Sequence, residues 1–448
     1  MNHNLGTEKV SRLLWQLSIP AMLGMLSSAI FNIVDRIFVE KISPYALTAV
    51  GITMPVQVLQ MAFVLLIGIG TSSLVSIKLG EGKKEEAEEV LYLALKYIVI
   101  FLSAFATLFF IFLEPVMKLL AVSDKVYPYA RTYIIIIIVG SIVGIPGYCL
   151  NNSLRSIGQA KTSMKIVMIT SILNMVLDPV FIFGLNMGIA GAALATVLSQ
   201  TVLTVYVIYA FCTRTDFMVR LKRRKSANEW ELVKDSTKMG TPSFLVQLLA
   251  TVVNIFINNS LLKYGTDLDI AAVTIISSIF SFYHMVVTGL VQGNNAICGF
   301  NWGAKQYKRV KQSLQLSLLA SFFLSFGLFC MIELFPHVLV DLFTRKPELS
   351  QITIGGIRLY LSMIPLVGLQ SVSAQYFQAV GKSKKSSVLA ALRYGMIVVP
   401  SVYLLAPVMG VRGIYLSNAV SDGIASVVAI VCIIMELRRL GKMCDGTV

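Results

Sequence analysis

The chain has 448 residues, of which 56% are hydrophobic and only 14% are charged. Soluble domains are less apolar and carry charge on about a quarter of their residues, so this composition excludes an ordinary soluble protein. The net charge of +15 would suit a nucleic-acid partner, but the basic residues lie in short segments between apolar runs and form no single stripe. Lys and Arg also accumulate in the cytoplasmic loops of membrane proteins. We therefore predict an all-α polytopic protein of the lipid bilayer with no nucleic-acid partner.

Apolar runs of about 20 residues or more, the length that crosses a bilayer as a helix, recur along the whole chain. We predict twelve transmembrane helices, at about residues 13–39, 46–77, 90–113, 129–154, 164–184, 188–212, 238–262, 270–299, 312–334, 353–379, 387–406 and 411–436. The first run is too long for the apolar core of a cleavable signal and lacks a clear cleavage site.

Residue patterns that support catalysis or metal binding are missing from the sequence. The six cysteines include no C-x-x-C pair, and most lie in apolar runs, where a thiol packs as a small hydrophobic group. The three histidines show no metal-ligand spacing, and there is no G-x-S-x-G motif. We predict that the protein is not an enzyme and carries no cofactor.

Basic residues are distributed unevenly between alternate loops. If the N-terminus is inside, the outer segments hold only Lys41, Lys118, Lys125, Arg131, Lys263, Arg345 and Lys346. The inner segments hold severalfold more: Lys9, Arg12, Lys78, Lys83, Lys84, Arg155, Lys161, Lys165, the run Arg220 to Lys225, Lys305, Lys308, Arg309, Lys311, Lys382, Lys384, Lys385, Arg438, Arg439 and Lys442. The positive-inside rule then places both termini in the cytoplasm, and Arg393 is expected near the inner surface.

The longest polar break divides the chain into two halves. We predict an N-terminal six-helix lobe at residues 1–212, a cytoplasmic linker at 213–237 and a C-terminal six-helix lobe at 238–448. Four motifs recur between the halves at an offset of 221 to 223 residues: Gly82-Lys-Lys and Gly303-Ala-Lys, Ser156-Ile-Gly-Gln-Ala-Lys and Ala379-Val-Gly-Lys-Ser-Lys, Asp178-Pro179 and Val399-Pro400, and Gly188-Ile-Ala-Gly and Gly410-Val-Arg-Gly. A single offset held across several motifs indicates an internal repeat.

An even number of spans in each half means that both halves enter the membrane from the same side. The halves are then related by a pseudo-two-fold axis along the membrane normal, as in transporters built from parallel repeats. Two such bundles leave a cavity between them near the middle of the membrane, although a duplicated scaffold without transport would share the pattern.

The stretch Ser171 to Gly184 carries an amide, a carboxylate and a helix-breaking proline inside an apolar span. Asn174 and Asp178 are four residues apart and share one helix face. Pro179 has no N–H, so the carbonyl of Met175 loses its helical partner. A carboxylate at bilayer depth costs about 2.5–3.5 kcal/mol on insertion scales, so this turn indicates either an ion site or a structural polar contact between helices.

Together with the repeat, an ordered set of motifs resembles the multidrug and toxic compound extrusion (MATE) family. The motifs are Pro20, Phe31–Arg36 (FNIVDR), Asn151–Lys161 (NNSLRSIGQAK), Asn174–Pro179 (NMVLDP), Gly188–Thr196 (GIAGAALAT) and Asn301–Lys305 (NWGAK). This resemblance covers essentially the whole chain. It implies export of cationic or amphipathic organic compounds, including drugs and toxins, in exchange for protons or sodium by rocker-switch alternating access.

In one branch of the family the coupling residues lie in the N-terminal lobe. The matching positions here are Asp35, Tyr133, Asn174, Asp178 and Thr196, and Pro20 matches the residue at which the first span bends. Another branch places coupling carboxylates on spans 7 and 10, where this chain has no acid. We therefore place the coupling site, with Pro179 at its edge, in the N-terminal lobe.

The coupling ion is left open by the residue types. If Asp35 and Asp178 face each other, they can share a proton and titrate as a pair. The same carboxylates with Asn174 and Thr196 would supply the hard oxygen ligands that suit Na⁺. Structural roles are the alternatives: a surface position for Asp35, an interfacial belt position for Tyr133 and a helix-packing hydroxyl for Thr196.

For the substrate cavity the sequence offers Gln57, Gln60, Gln292 and Asn295 as polar candidates, and Asp422 as a candidate cation contact. Central acids would favour small organic cations as substrates. The alternative is a lipid-linked saccharide flippase on a related scaffold, which would favour basic groups in the cavity. We expect a monomer in the plasma (inner) membrane with a role in antibiotic resistance.

Overall fold

The computed structural model describes residues 5–224 and 228–445. Lys225, the last residue of the predicted basic run in the linker, lies outside them. Among residues 5–224, eight α-helices form the first half: α1 (Val10–Ile42), α2 (Pro44–Gly80), α3 (Lys84–Ile111), α4 (Leu113–Leu119), α5 (Tyr127–Gly144), α6 (Pro146–Ser156), α7 (Ala160–Pro179) and α8 (Gly188–Thr213).

Nine further α-helices form the second half, as described for residues 228–445: α9 (Glu229–Tyr264), α10 (Asp267–Gly303), α11 (Tyr307–Leu334), α12 (Pro336–Val340), α13 (Pro347–Tyr360), α14 (Ile364–Ala379), α15 (Ser383–Ala391), α16 (Val398–Met409) and α17 (Val411–Cys444). π-Helical turns at Val180–Gly184 and Leu392–Met396 continue α7 and join α15 to α16. The described residues form no β-strand.

Within the described residues, eleven helices are long and apolar enough to cross a membrane, with α7 and α15–α16 each taken together with their π-helical turns. A twelfth span is formed by α13 and α14, which meet at an angle of 52°. The predicted fold class, twelve transmembrane helices in two six-helix bundles, is confirmed. The predicted spans differ mainly in length, because several helices run well beyond the apolar segment.

Two predicted spans are interrupted in the structure. The fourth, predicted as one helix at 129–154, stops at Gly144 and restarts at Pro146. The tenth, predicted at 353–379, stops at Tyr360 and restarts at Ile364. In both, a proline follows the break as the first or second residue of the new helix, where its missing N–H does no harm. Apolar periodicity continues through both breaks and therefore hid them.

The two halves repeat their backbone geometry at two glycine pairs of the predicted repeat, whereas Gly82 has a φ angle of +77° and its counterpart Gly303 is the last residue of α10. Gly158 and Gly381 have φ angles of +84° and +79°, and Gly188 and Gly410 have φ angles of +54° and +60°. These left-handed values favour glycine, which explains why glycine recurs at these positions. The lobe boundaries stay a prediction: α8 ends at Thr213, but α9 already begins at Glu229, ahead of the predicted start of the second lobe at residue 238.

The lobes meet on the side that carries the chain termini. Here α1 packs on α10, and α2 packs on α9 and α10. Close approach depends on glycines: a Cβ added to Gly240 would lie 1.7 Å from the carbonyl oxygen of Leu66, and one added to Gly80 would lie 1.9 Å from that of Phe300. The hydroxyl of Ser76 donates to the carbonyl of Ala296 at 3.1 Å across the same layer. The protein is thus closed on this side.

Candidate functional site

An acid cluster is buried within the N-terminal lobe. Asp178 on α7 is fully buried, and Asp35 on α1 is half-buried. The two carboxyl groups are in hydrogen-bonding contact. Because a carboxylate has no proton to donate, this contact requires one proton between the two groups. Tyr133 on α5 is buried close enough to both acids to interact with them electrostatically.

Two further polar residues complete this cluster. Asn174, one turn before Asp178 on α7, is buried and donates to the hydroxyl of Thr196 on α8 at 3.5 Å. The structure therefore brings together all five residues that the sequence singled out for ion coupling, from four different helices. Their oxygens are of the hard type that suits Na⁺ as well as a proton, so the donor set fits either coupling ion. Their role in coupling stays a prediction.

The backbone beside Asp178 is irregular, as the proline predicts. The α-helix of α7 ends at Pro179 and continues as the π-helical turn Val180–Gly184. A π-helical turn accommodates the missing N–H by shifting hydrogen bonds to longer spacing. Pro20, the other predicted bending residue, lies buried inside α1, which runs unbroken from Val10 to Ile42.

A cavity of about 480 Å³ lies between the lobes, directly beside the layer where they meet. Its wall combines apolar residues with neutral amides and hydroxyls from both lobes. Of the five predicted cavity residues, Gln292 lines this cavity, and both Gln292 and Asn295 line an adjoining chamber of about 70 Å³. Gln57 lines neither space, and Gln60 is buried inside the N-terminal lobe, where it donates to Ser141 at 2.7 Å.

Asp422, the fifth predicted cavity residue, is engaged inside the C-terminal lobe. Its carboxylate accepts a hydrogen bond from Arg393 at 2.8 Å. Arg393 also lies over the ring of Tyr394 and is buried on the cavity wall. The expectation that Arg393 lies near the inner surface stays a prediction. The two residues are 29 positions apart in the sequence, which conceals their pairing, although a charge at bilayer depth commonly pairs with another.

The charge of the cavity wall differs from the expectation of central acids. Among the described residues no Asp or Glu lines the cavity, whereas Arg155, Arg393 and His284 do. The sequence predicts Arg155 on α6 only as an inner-loop charge, and nothing in its local pattern indicates a place on the cavity wall.

A small side pocket connects the acid cluster to the cavity region. Its wall includes Asn174 and Thr196 of the cluster, together with Phe31 and Tyr148, which also line the main cavity. Phe31 precedes Asp35 by one turn of α1, so the two side chains lie on the same face of that helix. Neither Asp35 nor Asp178 lines the main cavity, and the side pocket next to Asn174 and Thr196 shares Phe31 and Tyr148 with it.

Two six-helix lobes that enclose a central cavity, with an acid cluster buried in one of them, define a membrane transporter. The family model MatE matches residues 20–180 and 242–404, well over half of the chain. The chain belongs to this family, the multidrug and toxic compound extrusion transporters. Members of the family are transporters and not enzymes.

Individual relatives match over nearly their full length. The multidrug export protein MepA of Staphylococcus saprophyticus is 24% identical over 432 residues, which cover 94% of this chain and 93% of the relative. A MATE protein solved in a straight conformation has a TM-score of 0.92 at 25% identity, covering 98% of this chain and 99% of its own. A MOP superfamily transporter from Pyrococcus furiosus, whose reversed binding-pocket polarity suggests a different function, has a TM-score of 0.91 at 25% identity, with 98% and 99% covered.

Proposed function

We propose that the protein is a secondary active antiporter that exports amphipathic organic compounds in exchange for protons or sodium ions. The single observation that carries the proposal is the contact between Asp35 and Asp178 inside the N-terminal lobe. Two acids that hold one proton between them can take up and release a cation, which an ion-coupled transporter needs. The names of relatives such as MepA, a multidrug export protein, support organic compounds as substrates.

The acid pair can be loaded from one side of the membrane and discharged to the other. An inward-moving proton or sodium ion gains about 2.3 kcal/mol per 100 mV of membrane potential. Each unit of pH difference adds about 1.4 kcal/mol for a proton. Together these gains suffice to drive export against a concentration ratio of orders of magnitude.

Coupling to the substrate runs through α1. When the pair releases or takes up its cation, the contact between α1 and α7 changes, and Phe31 moves with the turn that carries Asp35. Because Phe31 lines the cavity, its displacement alters the substrate space. Bound substrate therefore disfavours the position of α1 in which the acid pair holds its cation. Conversely, binding of the cation lowers the affinity of the cavity for the substrate.

Alternating access is proposed to occur by rocking of the two lobes. The glycine-lined layer between α2, α9 and α10 closes the side of the termini, and its opening would expose the cavity to that side. We place both termini in the cytoplasm, since the basic loops lie on their side. The protein would then work as a monomer in the plasma (inner) membrane.

The predicted preference for small organic cations loses its basis. That preference depended on central acids facing the substrate, but neither Asp35 nor Asp178 lines the main cavity, and the described cavity residues include no carboxylate. The basic lining also favours the second candidate, a lipid-linked saccharide flippase. The two candidates differ in their requirement for an ion gradient and in the transport of water-soluble compounds without a lipid tail.

The test is flux in proteoliposomes with a proton gradient or a sodium gradient imposed separately. Two amphipathic dyes of opposite charge serve as substrates, so that the result does not depend on substrate charge. We expect gradient-driven flux of at least one dye in the wild type and background flux in Asp35→Asn and Asp178→Asn. Asp341→Asn, which changes an exposed acid of the C-terminal lobe, is the matched control and retains wild-type flux.

The gradient that drives dye flux when it is imposed alone identifies the coupling ion. Flux that is equal in the wild type and both acid variants would show that coupling lies elsewhere. The flippase would be favoured if neither dye moves and a lipid-linked saccharide moves without any ion gradient.

A further inference from the structure

We infer that the cavity between the lobes takes amphipathic compounds that carry an acidic group, with the guanidinium of Arg155 as the anion contact. The acidic group is a carboxylate, a sulfonate or a phosphate, and the rest of the compound is apolar. The inference rests on the proposed export function and narrows its substrate class.

The charge available to a substrate comes from Arg155. Although Arg393 also lines the cavity, its charge is balanced by Asp422 at 2.8 Å. The described hydrogen bonds of Arg155 go to two neutral side chains, Asn152 and Ser163. Within residues 5–224 and 228–445, Arg155 forms no ion pair with a carboxylate, and no charged group acts on it. Counting the described residues, the cavity wall therefore carries one uncompensated positive charge.

An uncompensated guanidinium in a poorly hydrated site favours an anion. The half-buried position of Arg155 removes part of its hydration and strengthens its attraction to an opposite charge. Its planar donors match the two oxygens of a carboxylate, sulfonate or phosphate. An organic cation placed in the same cavity would meet a like charge and no carboxylate.

The chamber beside Arg155 has the size and the donors for such a head group. It measures about 70 Å³, whereas a single water requires about 10–15 Å³ by the same kind of measure. Besides Arg155, its wall offers the hydroxyls of Ser72 and Thr288 and the amides of Gln292 and Gln375. Hydroxyls and amide NH₂ groups can each donate a hydrogen bond to an anionic oxygen.

The main cavity fits the apolar remainder of the compound. Met25, Phe31, Met61 and Leu65 line it, and methionine with aromatic rings suits compounds of varied shape because these side chains repack. Arg155 and Gln292 line both the chamber and the cavity. A single compound can therefore place its acidic end in the chamber and its body in the cavity.

The experiment compares three probes with the same apolar body. Dansylglycine carries a carboxylate, dansylglycinamide is neutral, and a dansyl-amidoethyl-trimethylammonium is cationic. Binding to the full-length protein in detergent is measured by dansyl fluorescence without any gradient. We expect the wild type to bind the carboxylate about tenfold more tightly than the amide and more tightly still than the cation.

The variants separate charge from folding. Arg155→Gln keeps hydrogen bonds to the neighbours but removes the charge, and we expect it to lose the preference for the carboxylate while binding the amide as before. Arg155→Lys keeps the charge and retains part of the preference. Lys96→Gln removes a charge of the same lobe that lies over Tyr97 and lines no described cavity, and it leaves all three affinities unchanged.

Equal binding of the three probes, tighter binding of the cation, or no saturable binding of the carboxylate would overturn the inference. Unchanged amide binding in Arg155→Gln shows that this variant is folded. Failure of the proposed function gives a different result: none of the probes would move in proteoliposomes under either gradient, while the binding preference in detergent persists.

Discussion

In the N-terminal lobe two acids, the half-buried Asp35 and the buried Asp178, are in contact with each other. In the C-terminal lobe the half-buried acid Asp422 is instead paired with the buried Arg393. At the repeat position of Asp178 the second lobe has Val399. Two carboxyl groups that share a proton change their charge when the proton leaves, and a sodium ion can take the place of the proton without changing the net charge of the site. An aspartate paired with arginine already has its counter-ion and holds the surrounding helices together. The repeat has thus kept the scaffold in both lobes, and under the proposed function the charge that switches lies in the N-terminal lobe.

The largest effect that distinguishes the lobes concerns stability. Removing one partner of the C-terminal pair, as in Asp422→Asn or Arg393→Met, leaves a buried charge uncompensated and costs about 3–5 kcal/mol. Replacing both, as in Arg393→Met with Asp422→Leu, recovers most of the loss. Asp178→Asn in the other lobe keeps a hydrogen-bond donor beside Asp35 and leaves stability within about 1 kcal/mol. Thermal unfolding in detergent measures all four, and a similar loss for Asp178→Asn and Asp422→Asn would break the comparison.

A second, smaller effect concerns the layer where the lobes meet. Gly240→Ala places a Cβ against the carbonyl of Leu66, and overpacking of this kind costs about 1–3 kcal/mol. We expect the lobes to separate on the side of the termini. The distance between spin labels at Lys84 and Lys308, in a background without native cysteines, measures the shift. Gly327→Ala, where a Cβ meets nothing within 4 Å, is the control and should leave the distance distribution unchanged; an unchanged distribution in Gly240→Ala would contradict a rocking layer.

The smallest effect separates the two coupling ions. Thr196→Val removes a hydroxyl that accepts a hydrogen bond from Asn174 at 3.5 Å but leaves both acids in place. If sodium is the coupling ion, the loss of one oxygen ligand weakens sodium activation of flux by about tenfold, equivalent to about 1.4 kcal/mol. If the proton is the coupling ion, flux changes by less than about threefold, since a neutral hydrogen bond contributes about 1 kcal/mol. Flux in Thr196→Val at varied sodium concentration decides between these outcomes, and Thr201→Val on the same helix is the control.

Much of the fold and of the acid cluster could be read from the sequence. The apolar runs predict the number of spans and the repeated glycines indicate the two halves. Both signals follow from local requirements, the length of a membrane-spanning helix and the backbone conformation of a turn. Asp35 and Asp178 stood out because an acid in an apolar span must have a compensating partner. The breaks at Gly144 and Tyr360 were hidden, since hydropathy does not report helix direction.

The polarity of the cavity could not be read in the same way. Whether a charge faces the substrate depends on how helices from two lobes pack, and the separation of Asp422 from Arg393 by 29 residues concealed their pairing. Arg155 near the end of a short helix resembled any inner-loop charge. Side-chain direction, which decides between a cavity and a loop, is a tertiary property.

The most direct test of the division between the lobes is infrared difference spectroscopy of the purified protein. On raising the pH or adding sodium, we predict loss of a protonated-carboxyl band in the wild type. The band should be missing from Asp35→Asn and Asp178→Asn but present in the paired variant Arg393→Met with Asp422→Leu. A band that persists in both N-terminal variants, or that disappears with the C-terminal pair, would contradict the account.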